Sequence, residues 1–398
     1  MNCRYCKQKL ELNFLNIGKS ALANSFTKKK YNYRKKNLIL SLCKKCLLVQ
    51  HSSKVKSHEI FDKYSYFSSY SVDVLKHSKD YVKKINKYLS TNDNILEIAC
   101  NDGYLLQYFD TKKFNVYGVE PAKNVSKIAK KKGIKVFNNY FDYNFSKRLK
   151  SKEYKLIICN NVFAHIPNIK SFMRGLKNLC SKKTIITIEI QYLNELIKNN
   201  LIDMIYHEHF YYHNLKSLIF IFNEIGLEIF NCEKIKTHGG SLRIYVSRKN
   251  EYKKNIKINN IVKEENELFY NKIFNNKSFI QNNFENYYSN VLKNLANIKK
   301  NKIIVGFGAA AKATTLINIF NLNKDDIKFI IDETPYKQNC YVPGSNIKVI
   351  SPEIARKQNF DVVIIFAWNY LKTVQEKIEY FFGKKENVVL IPNFKKIK

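Results

Sequence analysis

The densest chemistry in the chain lies in Tyr206-His207-Glu208-His209-Phe210-Tyr211-Tyr212-His213. Histidine is the side chain whose ordinary pKa suits proton transfer near neutral pH, and a neighbouring carboxylate or phenol can orient it. The spacing is not the His-Glu-x-x-His of a zinc enzyme, although His209 and His213 are spaced to share a helix face. Acid–base work ranks above a metal site, and local sequence does not choose between His207 and His209. A further histidine, His165, follows a strand in Asn160-Asn161-Val162-Phe163-Ala164-His165-Ile166-Pro167. It is placed for chemistry or substrate contact, or else it caps a helix. Thr237-His238-Gly239-Gly240-Ser241-Leu242-Arg243 is a glycine turn before a strand, facing the same cleft or simply bending the chain.

Thiols supply the second chemistry. Cys3-x2-Cys6 and Cys43-x2-Cys46 are two knuckles either side of the strand-like Leu38-Ile39-Leu40. Paired Cys-x2-Cys spacing suits tetrahedral zinc, and with all four positions filled by protein the metal is structural.

These groups need elements to position them. Ile95-Leu96-Glu97-Ile98-Ala99 reads as a buried strand, Cys100-Asn101-Asp102-Gly103 as a turn, and Tyr104-Leu105-Leu106 as the start of a helix. The next strand, Val116–Val119, ends in Glu120, where a ribose diol is usually gripped. Ala99 stands where a dinucleotide site has its first glycine. The turn therefore points to an adenosyl ligand without a pyrophosphate, S-adenosylmethionine (SAM). Its expected contacts are Glu97, Ala99, Asn101, Asp102, Gly103, Glu120 and Asn160. Further strands at Lys135–Phe137, Leu156–Asn160, Thr184–Glu189 and Leu242–Val246 alternate with helices, which argues an α/β, doubly wound sheet. Ahead of it, the hydroxyl-rich Tyr64-Ser65-Tyr66-Phe67-Ser68-Ser69-Tyr70-Ser71 is a surface loop or a cover for the pocket.

A second α/β unit starts at Ile303-Ile304-Val305-Gly306-Phe307-Gly308-Ala309-Ala310-Ala311-Lys312. This G-x-G-x-x-A turn opens a helix carrying Lys312 and Thr315. A strand ending in Asp332 follows, and another precedes Ala367-Trp368-Asn369. Such a turn suits a dinucleotide or the diphosphate of a nucleotide sugar. Residues 250–301 contain no Gly or Pro and read as one or two long helices. The expected domains are 1–60 (zinc-binding module), 61–250 (SAM domain), 251–300 (helical connector) and 301–398 (Rossmann-like domain).

At 398 residues with a formal charge of +36, the chain invites comparison with nucleic-acid-binding proteins. Only seven of the 69 basic residues are arginine, and the lysines are scattered, unlike a phosphate-reading face. No nucleic-acid partner is expected. No apolar run approaches the roughly 20 residues of a membrane span, and no leader precedes Met1-Asn2-Cys3. A cytoplasmic protein with reduced thiols and no membrane association is the expectation.

The Cys pairs, the E-I-x-x-N-D-G turn, N-V-x-A-H-I-P, Y-H-E-H, H-G-G-S-L-R, G-x-G-A-x-A-K and A-W-N, in this order, resemble the nucleotide-sugar C-methyltransferases. Members of that family methylate C3 of a 4-keto deoxysugar. The resemblance spans nearly the whole chain. It implies a zinc-binding N-terminal module, a central class I SAM methyltransferase domain of Rossmann-like fold, and a C-terminal Rossmann-like domain that holds the nucleotide-diphosphate sugar. It implies His209 as general base, supported by Tyr206 and Glu208, with Tyr66 (Tyr64 less so) and His165 lining the sugar site. The sugar nucleotide would meet His238, Gly306, Gly308, Ala309, Lys312, Thr315, Asp332, Trp368 and Asn369. The departure is Ala99-Cys100, where the family commonly has Gly-Ser; it sets a thiol beside the methionine moiety. Two other classes compete: a nicotinamide-dependent nucleotide-sugar oxidoreductase or epimerase using the C-terminal turn, and a zinc-ribbon nucleic-acid-modifying methyltransferase.

Overall fold

The structure, a computed structural model, describes residues 1–10, 12–30, 33–51 and 67–397. Tyr64 and Tyr66 lie outside the described residues. Three sheets organise the chain. The first starts with β1 (Leu12–Ser20), β2 (Lys36–Leu42) and β3 (Val49–His51), paired antiparallel. The two Cys-x2-Cys knuckles flank it. In each knuckle the backbone N–H four residues on returns to the first cysteine's carbonyl, Lys7 to Cys3 at 3.1 Å and Leu47 to Cys43 at 2.8 Å.

Helix α1 (Val72–Ile85) leads into the second sheet. Its strands are β4 (Asn94–Ile98), β5 (Asn115–Val119), β6 (Lys135–Phe137), β7 (Tyr154–Asn160), β8 (Ile185–Gln191), β10 (Leu227–Ile235) and β11 (Ser241–Arg248). The spatial order is β6-β5-β4-β7-β8-β11-β10, with β4 to β8 parallel and β11 antiparallel to both its neighbours. That order, with a reversed hairpin at one edge, is the class I SAM methyltransferase sheet. The central strand β7 reads Tyr-Lys-Leu-Ile-Ile-Cys-Asn and is buried along most of its length, as a strand covered on both faces must be. Strand β9 (Tyr211–Tyr212) leaves this domain and pairs with β3, Val49 opposite Tyr212 and Gln50 opposite Tyr211.

The helix expected after the first turn is absent. Ala99, Asn101 and Gly103 hold φ of 58°, 51° and 75°, so the chain zigzags through left-handed conformations no α-helix contains. Only the 3-10 turn Leu106–Tyr108 follows. Packing also shows why glycine is needed at 118: a Cβ there would meet the Cys100 sulfur at 2.4 Å. The Cys100 thiol is fully buried against Gly118 of β5.

The residues between the two α/β units pack into the body instead of spanning as a loose connector. Helix α7 (Lys257–Asn266) lies on the methyltransferase domain, and Glu265 accepts from the Leu215 and Lys216 N–H groups and from the Tyr192 hydroxyl. After a π-helical stretch, α8 (Phe279–Lys299) packs against β1 and sends the Tyr287 hydroxyl to the Leu390 carbonyl at 2.9 Å. The third sheet is β14-β13-β12-β15-β16-β17, formed by β12 (Ile304–Phe307), β13 (Phe329–Ile331), β14 (Lys348–Ile350), β15 (Val362–Ile365), β16 (Glu386–Val389) and β17 (Lys395–Ile397). All but β17 are parallel. One hydrophobic cluster runs from Phe14 and Leu38 through Val291 to Ile317 and Leu390, so the first module, α8 and the C-terminal domain share a core. Among the described residues no helix is long and apolar enough to cross a membrane.

Candidate active site and zinc centre

The metal site is built by the two knuckles. Cys3 and Cys46 sulfurs lie 3.6 Å apart, Cys6 and Cys43 sulfurs 3.4 Å, and all four ligand atoms fall within 4.8 Å of one another. A zinc tetrahedron with bonds of about 2.3 Å has sulfur–sulfur edges of about 3.8 Å, so the four thiols fit the ion. Gln50 Nε2 donates to the Cys3 sulfur at 3.4 Å, the outer hydrogen bond that orients such a ligand.

The cofactor turn gathers three buried acids at the carboxyl ends of β4 and β5. Glu97, Asp102 and Glu120 are 1%, 0% and 5% exposed. Both Glu97 oxygens, Asp102 Oδ1 and Asn160 Oδ1 are buried with no partner among the described residues. Burial, with the charges of Asp102 and Glu120, holds the Glu97 carboxyl far above its ordinary range. Glu120 is pushed up to about 7 by burial, against the Ala122 and Asn101 N–H groups that bind it at 2.8 and 3.0 Å. Three acids and orphaned acceptors in one pocket suit a ligand that is cationic and rich in donors. SAM carries a sulfonium, an ammonium and a ribose diol. Asn101 and Asp102 also anchor the hydroxyl-rich segment: Asn101 Oδ1 accepts from Ser68 N at 3.1 Å, and Asp102 Oδ2 from Ser69 N at 3.2 Å and Ser69 Oγ at 2.5 Å.

The Tyr206–His213 stretch is not helical; it turns and then runs into β9. His209 and His213 therefore share no helix face. His209 Nδ1 lies 2.9 Å from the Met204 carbonyl and so carries the proton, leaving Nε2 as the acceptor. Its ring packs 4.2 Å from Tyr206 and 4.7 Å from His165, centroid to centroid. Phe210 N donates to the Ala164 carbonyl at 2.8 Å, which ties this stretch to the His165 turn. Burial holds His209 well below the ordinary histidine range, with His165 adding to the effect, and lowers His165 to about 4. Both rings are neutral at physiological pH. His207 faces the other way, among Ala21, Lys36 and Asn37 of the first module, and its carbonyl bonds His51 Nε2 at 3.1 Å. His213 is 1% exposed and stacks on Phe163 at 4.8 Å, a core position. Glu208, 3% exposed, accepts from Asn24 Nδ2 at 2.7 Å.

At the C-terminal turn, Asp332 Oδ2 accepts from Ala309 N at 2.6 Å and Oδ1 from Thr334 N at 2.8 Å. One N–H expected to meet a phosphate is thus already engaged. Gly306 lies inside β12, where a Cβ would meet Phe366 at 2.7 Å; Gly308, with φ of 93°, makes the turn. Thr315 is fully buried, its hydroxyl on the Ala311 carbonyl, away from the turn. Lys312 Nζ reaches Asn369 Oδ1 at 3.2 Å and lies 4.9 Å from the Trp368 ring centre. Trp368 Nε1 donates to Asp203 Oδ2 at 2.7 Å, and a Cβ on Gly239 would strike the Trp368 ring at 2.5 Å. The His238-Gly239-Gly240 turn thus abuts the C-terminal domain, and the charge of Lys312 helps lower His238 to about 4, after burial.

Sequence reasoning missed Asn24, Asp203 and the buried network in which Glu189 binds His77 at 2.9 Å and Arg243 at 2.7 Å. Only the Arg243 motif had been visible; its partners come from a distant helix and strand.

Three family models tile the chain: a "Putative zinc binding domain" over residues 3–61, a "Methyltransferase domain" over 73–231 and a "C-methyltransferase C-terminal domain" over 236–392. The C-methyltransferase NovU of Streptomyces niveus is 25% identical over 400 residues, covering 98% of this chain and 95% of the relative. Over nearly its whole length, then, the chain is similar to a C-methyltransferase. Among solved structures, a SAM-dependent methyltransferase from Clostridium acetobutylicum is 14% identical with a TM-score of 0.36, covering 44% of this chain and 92% of its own. The PH0226 protein of Pyrococcus horikoshii is 13% identical with a TM-score of 0.38, covering 50% of this chain and 100% of its own. The protein is a SAM-dependent C-methyltransferase with a zinc-binding module.

Two tests follow from this geometry. Cys46→Ser should drop zinc below one per chain and lower folded yield, and the folded remainder should lose turnover while keeping its SAM affinity, because β9 is paired to the zinc module. Elemental analysis with calorimetry checks this; full turnover without zinc would refute it. Glu120→Ala should weaken SAM by about 1–3 kcal/mol, the cost of a lost charged hydrogen bond. Wild-type SAM affinity should fall as pH drops through about 7, where Glu120 gains its proton, and the variant should lack that part of the dependence.

Proposed function

We propose that the enzyme methylates C3, the carbon next to the ketone, of a nucleotide-linked 4-keto deoxysugar, with His209 as general base. The observation that carries this is the His209 ring. With Nδ1 held by the Met204 carbonyl, Nε2 has no partner among the described residues, and the ring lies between Tyr206 and His165. Bound SAM supplies an electrophilic methyl group, already activated by its positive sulfur. The protein's own task is to make the carbon nucleophilic. His209 Nε2 takes the C3 proton, and the C–H electron pair moves into an enolate whose charge gathers on the ketone oxygen. Neutral donors stabilise that oxygen, His165 from one side and Tyr206 from its own stretch. Tyr66 is the further donor that the family resemblance implies. His209 is fully neutral near pH 7, so every molecule has the base available; its low proton affinity means that the enolate must be well stabilised for transfer to proceed.

The support for a nucleotide-sugar substrate is the resemblance carried by the sequence motifs, together with the meeting of Lys312, Trp368 and Asn369 of the C-terminal unit with the His238-Gly239 turn. We place the diphosphate near the Gly306–Lys312 turn. Because Asp332 already engages Ala309 N, the attraction comes mainly from Lys312, with His238, Trp368 and Asn369 around the sugar-facing side. Lys312→Met in the full-length protein should weaken a nucleoside diphosphate about tenfold (1.4 kcal/mol) by calorimetry and leave SAM binding unchanged. Tight NADH binding with no nucleoside diphosphate binding would favour the oxidoreductase reading instead.

His209→Asn should leave SAM affinity intact and lower turnover on the order of 10²–10⁴-fold, the usual cost of losing a general base. Solvent exchange is the decisive measurement. With a 4-keto sugar nucleotide in D₂O and a non-methylating SAM analogue, the wild type should wash deuterium into C3. Exchange as fast in His209→Asn would remove His209 from the role.

A further inference from the structure

The hydrogen bond from Asn24 to Glu208 joins residues 184 positions apart and brings a side chain of the zinc-binding module to the catalytic stretch. Asn24 sits in the turn that follows β1. Ala21 and Ala23, just before it, are 1% and 0% exposed, and the Ser25 hydroxyl donates to the Leu22 carbonyl at 2.8 Å. Farther along, Tyr341 N of the C-terminal domain donates to the Thr27 carbonyl at 2.8 Å. The turn is packed at one end and tied to the third domain at the other, so the Asn24 amide is held in place. Glu208 Oε1 takes that amide N–H at 2.7 Å, a short, charge-assisted contact, and it is the hydrogen bond the Glu208 carboxylate makes among the described residues.

We propose, on the reading of the site given above, that Asn24 is a positioning residue for Glu208. Its amide fixes Oε1 so that Oε2 is presented to a substrate hydroxyl beside the reacting carbon, and it keeps the carboxylate ionised near neutral pH. The titratable groups beside Glu208 are Tyr206, His207 and His209 on its own stretch and His165 from the turn after β7, while His51 from β3 and Lys36 at the start of β2 act on His207. Burial holds His165 and His207 at about 4 and His51 at about 3, so none of these rings carries charge at pH 7. Burial raises Glu208 to about 7, and the Asn24 amide is the group that opposes this. Without the amide the carboxyl would bind its proton more tightly, and sites ionised at pH 7 would become rare.

The Glu208 carboxyl can be titrated without substrate, from infrared difference spectra of each protein against its Glu208→Gln counterpart. The midpoint should lie near 7 in the wild type and rise by about one unit in Asn24→Ala, the shift expected when a neutral donor to a charged acceptor is removed. The isosteric Asn24→Asp, which replaces the donor with an acceptor, should raise it further. In turnover, the acidic limb of the kcat/KM profile should move up by the same amount, so that Asn24→Ala is about fivefold slower at pH 7 and recovers towards wild type at pH 9, with SAM affinity unchanged. A uniform loss at every pH, or an unmoved Glu208 midpoint, would overturn the proposal and leave Asn24 a packing residue. If Glu208→Gln instead keeps the wild-type rate and the same acidic limb, the assignment of Glu208 to the site is what fails, independently of its contact with Asn24.

Discussion

The pairing of β9 with β3 is the constraint on which the rest of the active site depends. Two residues, Tyr211 and Tyr212, complete the sheet of the zinc-binding module, although they belong in sequence to the methyltransferase domain. This fixes the second half of the stretch from Tyr206 to His213, by the module's sheet at Tyr211 and Tyr212 and by Phe210 N on the Ala164 carbonyl. The residues just before β9 form a turn closed by His209 N on the Tyr206 carbonyl, so His207 and His209 are not held to one face as they would be in a strand. His207 turns towards the module and His209 towards the cleft. Zinc then has a role beyond stabilising a small fold. It secures the knuckle after β2, from which Leu47 accepts the Asn214 amide at 2.9 Å, just past the catalytic stretch.

Electrostatics separate the two halves of the cleft. The cofactor side buries three carboxyls close together, an arrangement that is costly unless they are protonated or matched by a cation. The substrate side buries neutral histidines and a lysine. Lys312 is lowered by burial and supported by Asp203, whose own carboxyl is raised by burial and anchored by Trp368. The first group suits a cationic cofactor, and the second the anionic substrate proposed above. The scattered lysines that produce the net charge of +36 lie mostly on solvated faces, where they add long-range attraction for an anion and little stability.

The shared core makes the domains cooperate. Residues from β1, β2, α8 and the C-terminal sheet form one cluster, while the methyltransferase sheet has its own. The C-terminal domain also meets the methyltransferase domain through Trp368, which lies against Gly239 and donates to Asp203.

The zinc ligands, most of the strands of both α/β units, the acid ending each second strand and the histidine-rich stretch were all legible in the sequence. Each is local: a Cys-x2-Cys spacing, a buried apolar run, a glycine turn, functional groups crowded into eight positions. The sequence missed β10, the amphipathic edge strand Leu227–Ile235, and β14, β16 and β17 of the C-terminal sheet, and it suggested a helix after Gly103 that three left-handed residues prevent. What the tertiary structure alone decided is orientation and partnership. His207 and His209 have similar neighbours along the chain, yet one packs against the zinc module and the other is aimed by Met204. Asn24, Asp203 and Glu189 have ordinary surroundings in sequence and acquire their meaning from partners between 112 and 184 residues away. Such contacts depend on how sheets and domains stack, and a side chain carries no record of that in its neighbours along the chain.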